Sequence, residues 1–269
     1  STYMQDGQSY VVNVTLKKPF HTPKTIIISV DVSSIPTVAS SSLSSATTEY
    51  GLNLTVEFWY NRTDTDEGIS NASATYEIRN SAGITIISYA LEEDASIAGK
   101  YYLTINSSIV VDANTTPSVG TYTIYAFFTK THYESRTLVI TWTITVVATT
   151  AYAQPANISM IWGYTETVNI YYNRKRDDAF VKNATVSVDS TPSAPGAFNI
   201  SESASFYVLK INGSALIEGT YTVTIKLSKD YYEPQSLTIR IDVSSIPTVA
   251  SSSLSSATTC LLYTSDAAD

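Results

Sequence analysis

An all-β fold of tandem antiparallel β-sandwich modules is the class this sequence predicts, and three observations predict it. The stretch DVSSIPTVASSSLSSATT stands at Asp31–Thr48 and again, letter for letter, at Asp242–Thr259, a period of 211 residues. A fixed internal period marks a repeat architecture before any finer reading. Apolar and polar residues alternate along most of the apolar segments, the period-two pattern of half-buried strands, and no stretch sustains helical spacing. Thr, Val, Ile and Tyr dominate those segments, as a pleated surface favours.

The period divides further. Ser9–Val32, Gly120–Ile144 and Gly219–Val243 each hold an aromatic-opened strand, a lysine turn and a second strand. Val56–Ser73 matches Val168–Thr185, and Tyr101–Ser108 matches Tyr207–Ser214. A unit of roughly 100–110 residues suits one small sandwich of about seven strands. The expected organisation is residues 1–35 as the last strands of one module, 36–147 and 148–246 as whole modules, and 247–259 as the first strand of another. Cys260–Asp269 departs from the repeat and resembles the translation of a transposase sequencing adapter, so a non-native tail is expected there.

Taken in order, the first segment predicts a hairpin, which is marginal in water on its own. Leu52, Leu54, Val56, Phe58 and Tyr60 then alternate with Asn53, Thr55, Glu57 and Trp59, with Val168, Ile170 and Tyr172 as the counterpart in the next module. Tyr122, Ile124, Ala126 and Phe128 form one inward row, and Leu138, Ile140, Trp142, Ile144 and Val146 another. Tyr221, Val223, Ile225 and Leu227, with Leu237, Ile239, Ile241 and Val243, repeat both rows. The links Ser33–Pro36 and Ser244–Pro247 are short and stiffened by proline, which predicts an extended array.

The Gly-Thr-Tyr opening at Tyr122 and Tyr221 resembles the tyrosine corner of immunoglobulin-like domains, whose phenol bonds backbone at a sheet corner. Two residues on, Ile124 and Val223 stand where an immunoglobulin carries cysteine, so the resemblance is to disulfide-free immunoglobulin-like or fibronectin-III-like modules.

Composition narrows the function. The one cysteine, Cys260, lies in the tail, so neither a disulfide framework nor a thiolate metal site is expected. The formal charge of −8 becomes −6 without Asp266 and Asp269, which argues against nucleic-acid binding. No apolar run approaches the roughly 18–20 residues of a membrane-spanning helix.

Ten of the thirteen asparagines open an N-x-S/T sequon: Asn13, Asn53, Asn61, Asn71, Asn106, Asn114, Asn157, Asn183, Asn199 and Asn212. Ser and Thr make up about a quarter of the chain, so chance supplies about three or four. Asn13 and Asn53 fall on the outward parity of their strands, and Asn71 with Asn183, and Asn106 with Asn212, recur at matched positions. A bulky sugar needs such exposed sites, so the pattern predicts an exported glycoprotein.

Candidates for chemistry are few. His21 and His132 fall in slots that are aromatic in the sister modules, and no nucleophile–base arrangement or phosphate loop stands out, so no catalytic residue and no cofactor are expected. Asp64, Asp66 and Glu67 have the oxygen density of a calcium loop, but the sister loop holds Arg174, Lys175 and Arg176, which favours an ordinary solvated hairpin. Trp142 and Trp162 read as packing; Trp59, on the outer face with Tyr171 as its counterpart, keeps a sugar-binding surface open. The aromatic pairs Phe20–His21, His132–Tyr133 and Tyr231–Tyr232 sit in the lysine turns, where they can meet a neighbouring module or form a binding tip; their presence in every copy favours the module contact. The chain resembles the stalk and surface-layer repeat proteins of archaea and some bacteria. That resemblance implies a non-catalytic spacing or adhesive region at the cell surface, partnered by its own neighbouring modules and by surface proteins or glycans. The alternative is a set of carbohydrate-binding or spacer modules of a secreted enzyme.

Overall fold

The structure is a computed structural model that describes residues 4–5, 7–110 and 119–251. Its strands, in chain order, are β1 (Gln8–Leu16), β2 (Lys24–Val32), β3 (Thr37–Ser41), β4 (Ser45–Glu49), β5 (Asn53–Arg62), β6 (Ser73–Arg79), β7 (Thr85–Ala90), β8 (Glu92–Glu93), β9 (Lys100–Asn106), β10 (Gly120–Thr129) and β11 (Arg136–Thr145). After them come β12 (Thr149–Gln154), β13 (Asn157–Ile161), β14 (Thr165–Arg174), β15 (Thr185–Thr191), β16 (Phe198–Glu202), β17 (Tyr207–Asn212), β18 (Gly219–Ser228) and β19 (Gln235–Ser244). Among the described residues helix is limited to two three-residue 3₁₀ turns, Ser107–Ile109 and Gly213–Ala215. The fold is all-β, immunoglobulin-like and free of disulfides.

The first sandwich pairs a five-stranded sheet, β4-β11-β10-β6-β7, with a four-stranded one, β3-β5-β9-β8. The second pairs β13-β19-β18-β15 with β12-β14-β17-β16. Each has more strands than the expected seven because its opening segment divides between the sheets. Thus β3 runs antiparallel to β5, while β4 crosses over to run parallel to β11. The same division sends β12 to β14 and β13, in parallel, to β19.

Alternation sets the core. Tyr122, Ile124, Ala126 and Phe128 are buried, as are Leu54, Val56, Phe58 and Tyr60 on the facing sheet. Trp142, fully buried, lies opposite Tyr122 in the β10–β11 register and donates its indole N–H to Thr48 Oγ1 at 2.9 Å. Leu138, on the inward row, is only half-buried. In the second sandwich Val168, Ile170, Tyr172, Leu209, Val223, Ile225, Ile239 and Ile241 repeat the pattern. Tyr221 confirms the corner: its hydroxyl accepts from Ile217 N–H at 3.0 Å and sits 3.3 Å from Ile217 O, within donating distance.

Spatially the chain forms two compact units, each described by itself. One takes in Ser1–Thr150 with the turns Asn173–Thr185 and Ser228–Gln235; the other holds Ala151–Tyr172, Val186–Leu227 and Ser236–Asp269. The hairpin β1–β2 is paired over nine residues, yet Val12, Val14, Leu16 and Ile28, which match buried positions of β10 and β11, are exposed. Residues 247–251 carry no strand; Asn114 and Cys260–Asp269 lie outside the described residues.

Candidate functional site

The three lysine turns share one backbone. Each closes with a hydrogen bond of 3.1 Å: His21 N–H to Lys18 O, Tyr133 N–H to Lys130 O, and Tyr232 N–H to Lys229 O. Each places a non-glycine residue in the left-handed region: Phe20 at φ 64°, His132 at 70° and Tyr231 at 67°. That conformation is uncommon for a bulky side chain. Beside the tip, a backbone clamp repeats. Ile35 N–H donates to His132 O and Val147 N–H to Tyr231 O, both at 2.8 Å, while Thr37 and Thr149, buried polar residues, donate their hydroxyls to Glu134 O and Glu233 O at 2.9 and 2.7 Å. Tyr60 adds its phenol to Glu134 O at 2.6 Å, and burial, ahead of any neighbour, raises that phenol's pKa.

Within the first unit the tip of the third turn has an aromatic partner. The Tyr231 ring stacks on Tyr50, with centroids 4.0 Å apart and planes 18° from parallel. Burial, then Tyr231 and Tyr232, raise the Tyr50 pKa. Next to the stack, Arg176 reaches Glu49 at 3.0 Å.

The lysine side chains hold the sequon turns. Lys130 Nζ donates to Ser70 O and Lys229 Nζ to Lys182 O, at 2.5 and 2.6 Å, and each ammonium sits over a tyrosine ring, Tyr133 at 5.5 Å and Tyr232 at 5.2 Å. Those carbonyls lead into Asn71 and Asn183, both left-handed at φ 54° and 55°. A polar groove of about 450 Å³ lies between Asn71, Ser73, Thr129 and Lys130, and one of about 360 Å³ lies in the matching place by Asn183, Thr185, Ser228 and Lys229. No family of ligand is dictated by such walls.

Of the sequon asparagines, Asn13, Asn53, Asn71, Asn157, Asn183, Asn199 and Asn212 are exposed, Asn61 and Asn106 are half-buried, and none of the nine described is buried. Their recurrence has a backbone cause. Asn71 and Asn183 occupy left-handed positions that asparagine tolerates. Asn106 and Asn212 cap the 3₁₀ turns by accepting from Ser108 and Ser214 N–H at 2.9 and 3.2 Å. Asn106 further commits its Nδ2 to Gly51 O and Asn53 Oδ1, at 3.0 and 2.7 Å. Asn61 gives its Nδ2 to Asp66, as Asn173 does to Asp178. The matched pairs therefore serve the fold, while Asn13, Asn53, Asn157 and Asn199 project from strand surfaces.

Asp64, Asp66 and Glu67 do not converge. Arg62 grips Asp64 with Nε at 2.9 Å and Nη2 at 2.7 Å, and that bond holds the Asp64 carboxyl below its usual pKa. Asp66 receives Asn61, and Glu67 lies 3.8 Å from Arg62. Among the described residues no group of three or more His, Cys, Asp and Glu is placed to hold a metal. His21 and His132 are both exposed in their turns. Trp162 corrects the packing expectation: it is 43% exposed, because its turn places the indole edge over Leu216 O, to which Nε1 donates at 2.9 Å, rather than between the sheets. Trp59 is half-buried on the outer face. At its counterpart Tyr171, the rings of Tyr152 and Tyr171 lie face to face at 4.7 Å, with Phe206 tilted against Tyr171 at 5.6 Å. The ties of Glu93 to Asn71 N–H and of Tyr101 to Ile69 O have no spacing signal in the sequence.

No helix among the described residues is long and apolar enough to cross a membrane. No protein-family model and no curated protein matches the chain. Solved structures similar to it include the titin domains Z1Z2 in complex with telethonin, at 14% identity over 78% of this chain and 98% of that one, with a TM-score of 0.41. Domains 4 and 5 of the surface-layer protein SbsC match at 19% identity over 64% and 76%, with a TM-score of 0.30. The Yersinia pseudotuberculosis adhesin InvE matches at 11% over 76% of this chain and 58% of its own length, with a TM-score of 0.31.

Proposed function

We propose that this chain is a non-catalytic structural and adhesive repeat region of an exported, N-glycosylated cell-surface protein. Its repeating modules would be residues 36–147 and 148–246, each one sandwich, with residues 1–35 and 247–259 belonging to adjoining modules of the same kind. The observation that carries the reading is the exposure of the sequons: Asn13, Asn53, Asn157 and Asn199 stand on strand surfaces where a glycan meets no core. A glycan coat also shields sheet edges from pairing with other chains, a hazard for any β-rich surface protein. The partners it suits are copies of its own module, surface proteins and glycans. The carbohydrate-binding alternative has Trp59, half-buried on the outer face, as its support.

The test is intact-mass analysis of the chain made in an N-glycosylating host, before and after enzymatic deglycosylation. The expected result is a mass loss traced by peptide mapping to Asn13, Asn53, Asn157 and Asn199, with Asn106 unmodified because its Nδ2 is engaged. An unchanged mass refutes the glycoprotein reading.

A further inference from the structure

The stacked pair Tyr50–Tyr231 has two halves; the chain carries one further copy of the turn, exposed, and two further copies of the tip, of which the one at Phe20 is apolar and exposed. The half bearing Tyr50 is a turn: Tyr50 N–H donates to Thr145 O at 2.9 Å, Gly51 follows at φ 83°, Leu52 N–H closes on Glu49 O at 3.1 Å, and Ser107 N–H caps Leu52 O at 2.9 Å. The second sandwich builds the same turn bond for bond. Trp162 N–H donates to Ser244 O at 2.8 Å, Gly163 follows at φ 89°, Tyr164 N–H closes on Ile161 O at 3.2 Å, and Gly213 N–H caps Tyr164 O at 2.9 Å. Trp162 thus stands where Tyr50 stands. It is 43% exposed, Tyr164 is 62% exposed, and Ile217, beside the Leu216 carbonyl that holds the indole, is 74% exposed. Three large apolar side chains open to solvent at one turn form a patch with no partner among the described residues.

The other half, the tip bearing Tyr231, also recurs. Phe20 occupies the Tyr231 position of the first hairpin, with the same left-handed φ and the same closing bond, and its side chain is fully exposed. Lys17 and Lys18 precede it, whereas Glu218 adjoins Ile217, so the charges beside tip and patch are opposite.

We infer that the Trp162 turn is a docking site for the Phe20 tip of a second copy of this chain, in the geometry that Tyr231 and Tyr50 adopt within the first unit. This rests on the repeat reading above and names the partner that reading left general. The contact is heterologous, one patch meeting a different patch, so it propagates from copy to copy unless a ring closes. A single aromatic pair contributes about 0.5–1.5 kcal/mol beyond its buried area, so the association is weak and is read at high concentration.

The experiment tracks the Trp162 indole N–H signal in a ¹⁵N-labelled Phe20→Ala chain, which keeps the patch and lacks the tip. Unlabelled chain is added to about 1 mM, the range where a contact this weak begins to fill. Wild-type chain should move the signal progressively, and Phe20→Tyr chain should do so as well. Phe20→Ala chain should reduce the response about two- to tenfold, the value of one aromatic pair. An equal response to wild-type and Phe20→Ala chains, no response to wild-type chain, or a response to a soluble oligosaccharide in place of chain overturns the proposal. The readout involves no glycan on the chain, so an unglycosylated protein that shows the Phe20-dependent shift fails the glycoprotein reading and not this one.

Discussion

Phe128→Ala probes the parity on which the first sandwich depends. The Phe128 side chain is fully buried, with ring centroids 5.9 Å from Phe58, 5.6 Å from Tyr60 and 5.6 Å from Tyr101. Truncating a core phenylalanine to alanine costs about 3–5 kcal/mol. Each aromatic neighbour adds about 0.5–1.5 kcal/mol beyond area burial. With three of them the expected loss is in the upper half of that range, about 4–5 kcal/mol. On the partner strand, Val139 points the other way and is 54% exposed, so Val139→Ala should cost less than about 0.5 kcal/mol. Urea unfolding followed by circular dichroism reads both. The two sandwiches need not unfold together, so the variant should shift one transition and leave the other in place. A loss below about 1 kcal/mol for Phe128→Ala, or equal losses at the two sites, would refute the assignment of faces.

Removing the corner hydroxyl in Tyr221→Phe should cost about 1–2 kcal/mol, since it leaves Ile217 N–H and O without their partner; an unchanged midpoint in denaturant would contradict the corner. Gly99→Ala should lower the melting temperature sharply: φ is +73°, and an added Cβ would stand 2.6 Å from Tyr60 O and 2.5 Å from Ile69 N, so wild-type stability in calorimetry would refute the close approach. The Asp242 carboxyl is held below its ordinary pKa, first by the Thr220 hydroxyl and then by Arg240. Thr220→Ala should therefore raise it toward the ordinary value in a ¹³C-detected titration. Since a depressed carboxylate contributes stability above its unfolded pKa and loses it as pH falls through the folded one, the variant should also lose a little less stability on acidification.

Much of the fold was legible because period-two alternation depends on one physical fact, that successive side chains face opposite sides of a sheet. Leu54 to Tyr60 and Tyr122 to Phe128 could be read directly from it. The division of Thr37–Glu49 between two sheets could not, since a strand that changes partner keeps the same composition on both sides of the break. The surface was less legible still. Asn71 and Asn106 look alike as sequons, yet one is set by a left-handed turn and the other by a 3₁₀ cap, and only three-dimensional hydrogen bonding separates those duties from exposure for a sugar. Trp162 misled for a similar reason, because a residue that begins a turn leaves the alternation that would have placed it inside.

The parallel pairing of β4 with β11 sets a problem of identity during folding. Ala46 lies opposite Trp142, 96 residues further along the chain, and the second copy of its sequence puts Ala257 another 115 residues beyond Trp142. Closing the two loops differs by only about 0.2 kcal/mol in chain entropy, since that cost grows as the logarithm of length. The two segments share Ser-Ala-Thr-Thr and differ only at their fifth residue, Glu49 against Cys260, so proximity does not tell them apart. The difference lies in the residues downstream of each copy. After Thr48 the chain continues into Leu54, Val56, Phe58 and Tyr60, which fill the other wall of the core. Pairing of β4 is thereby coupled to burial of β5, and substitutions that weaken β5 should reveal themselves first as loosening of the β4–β11 pairing.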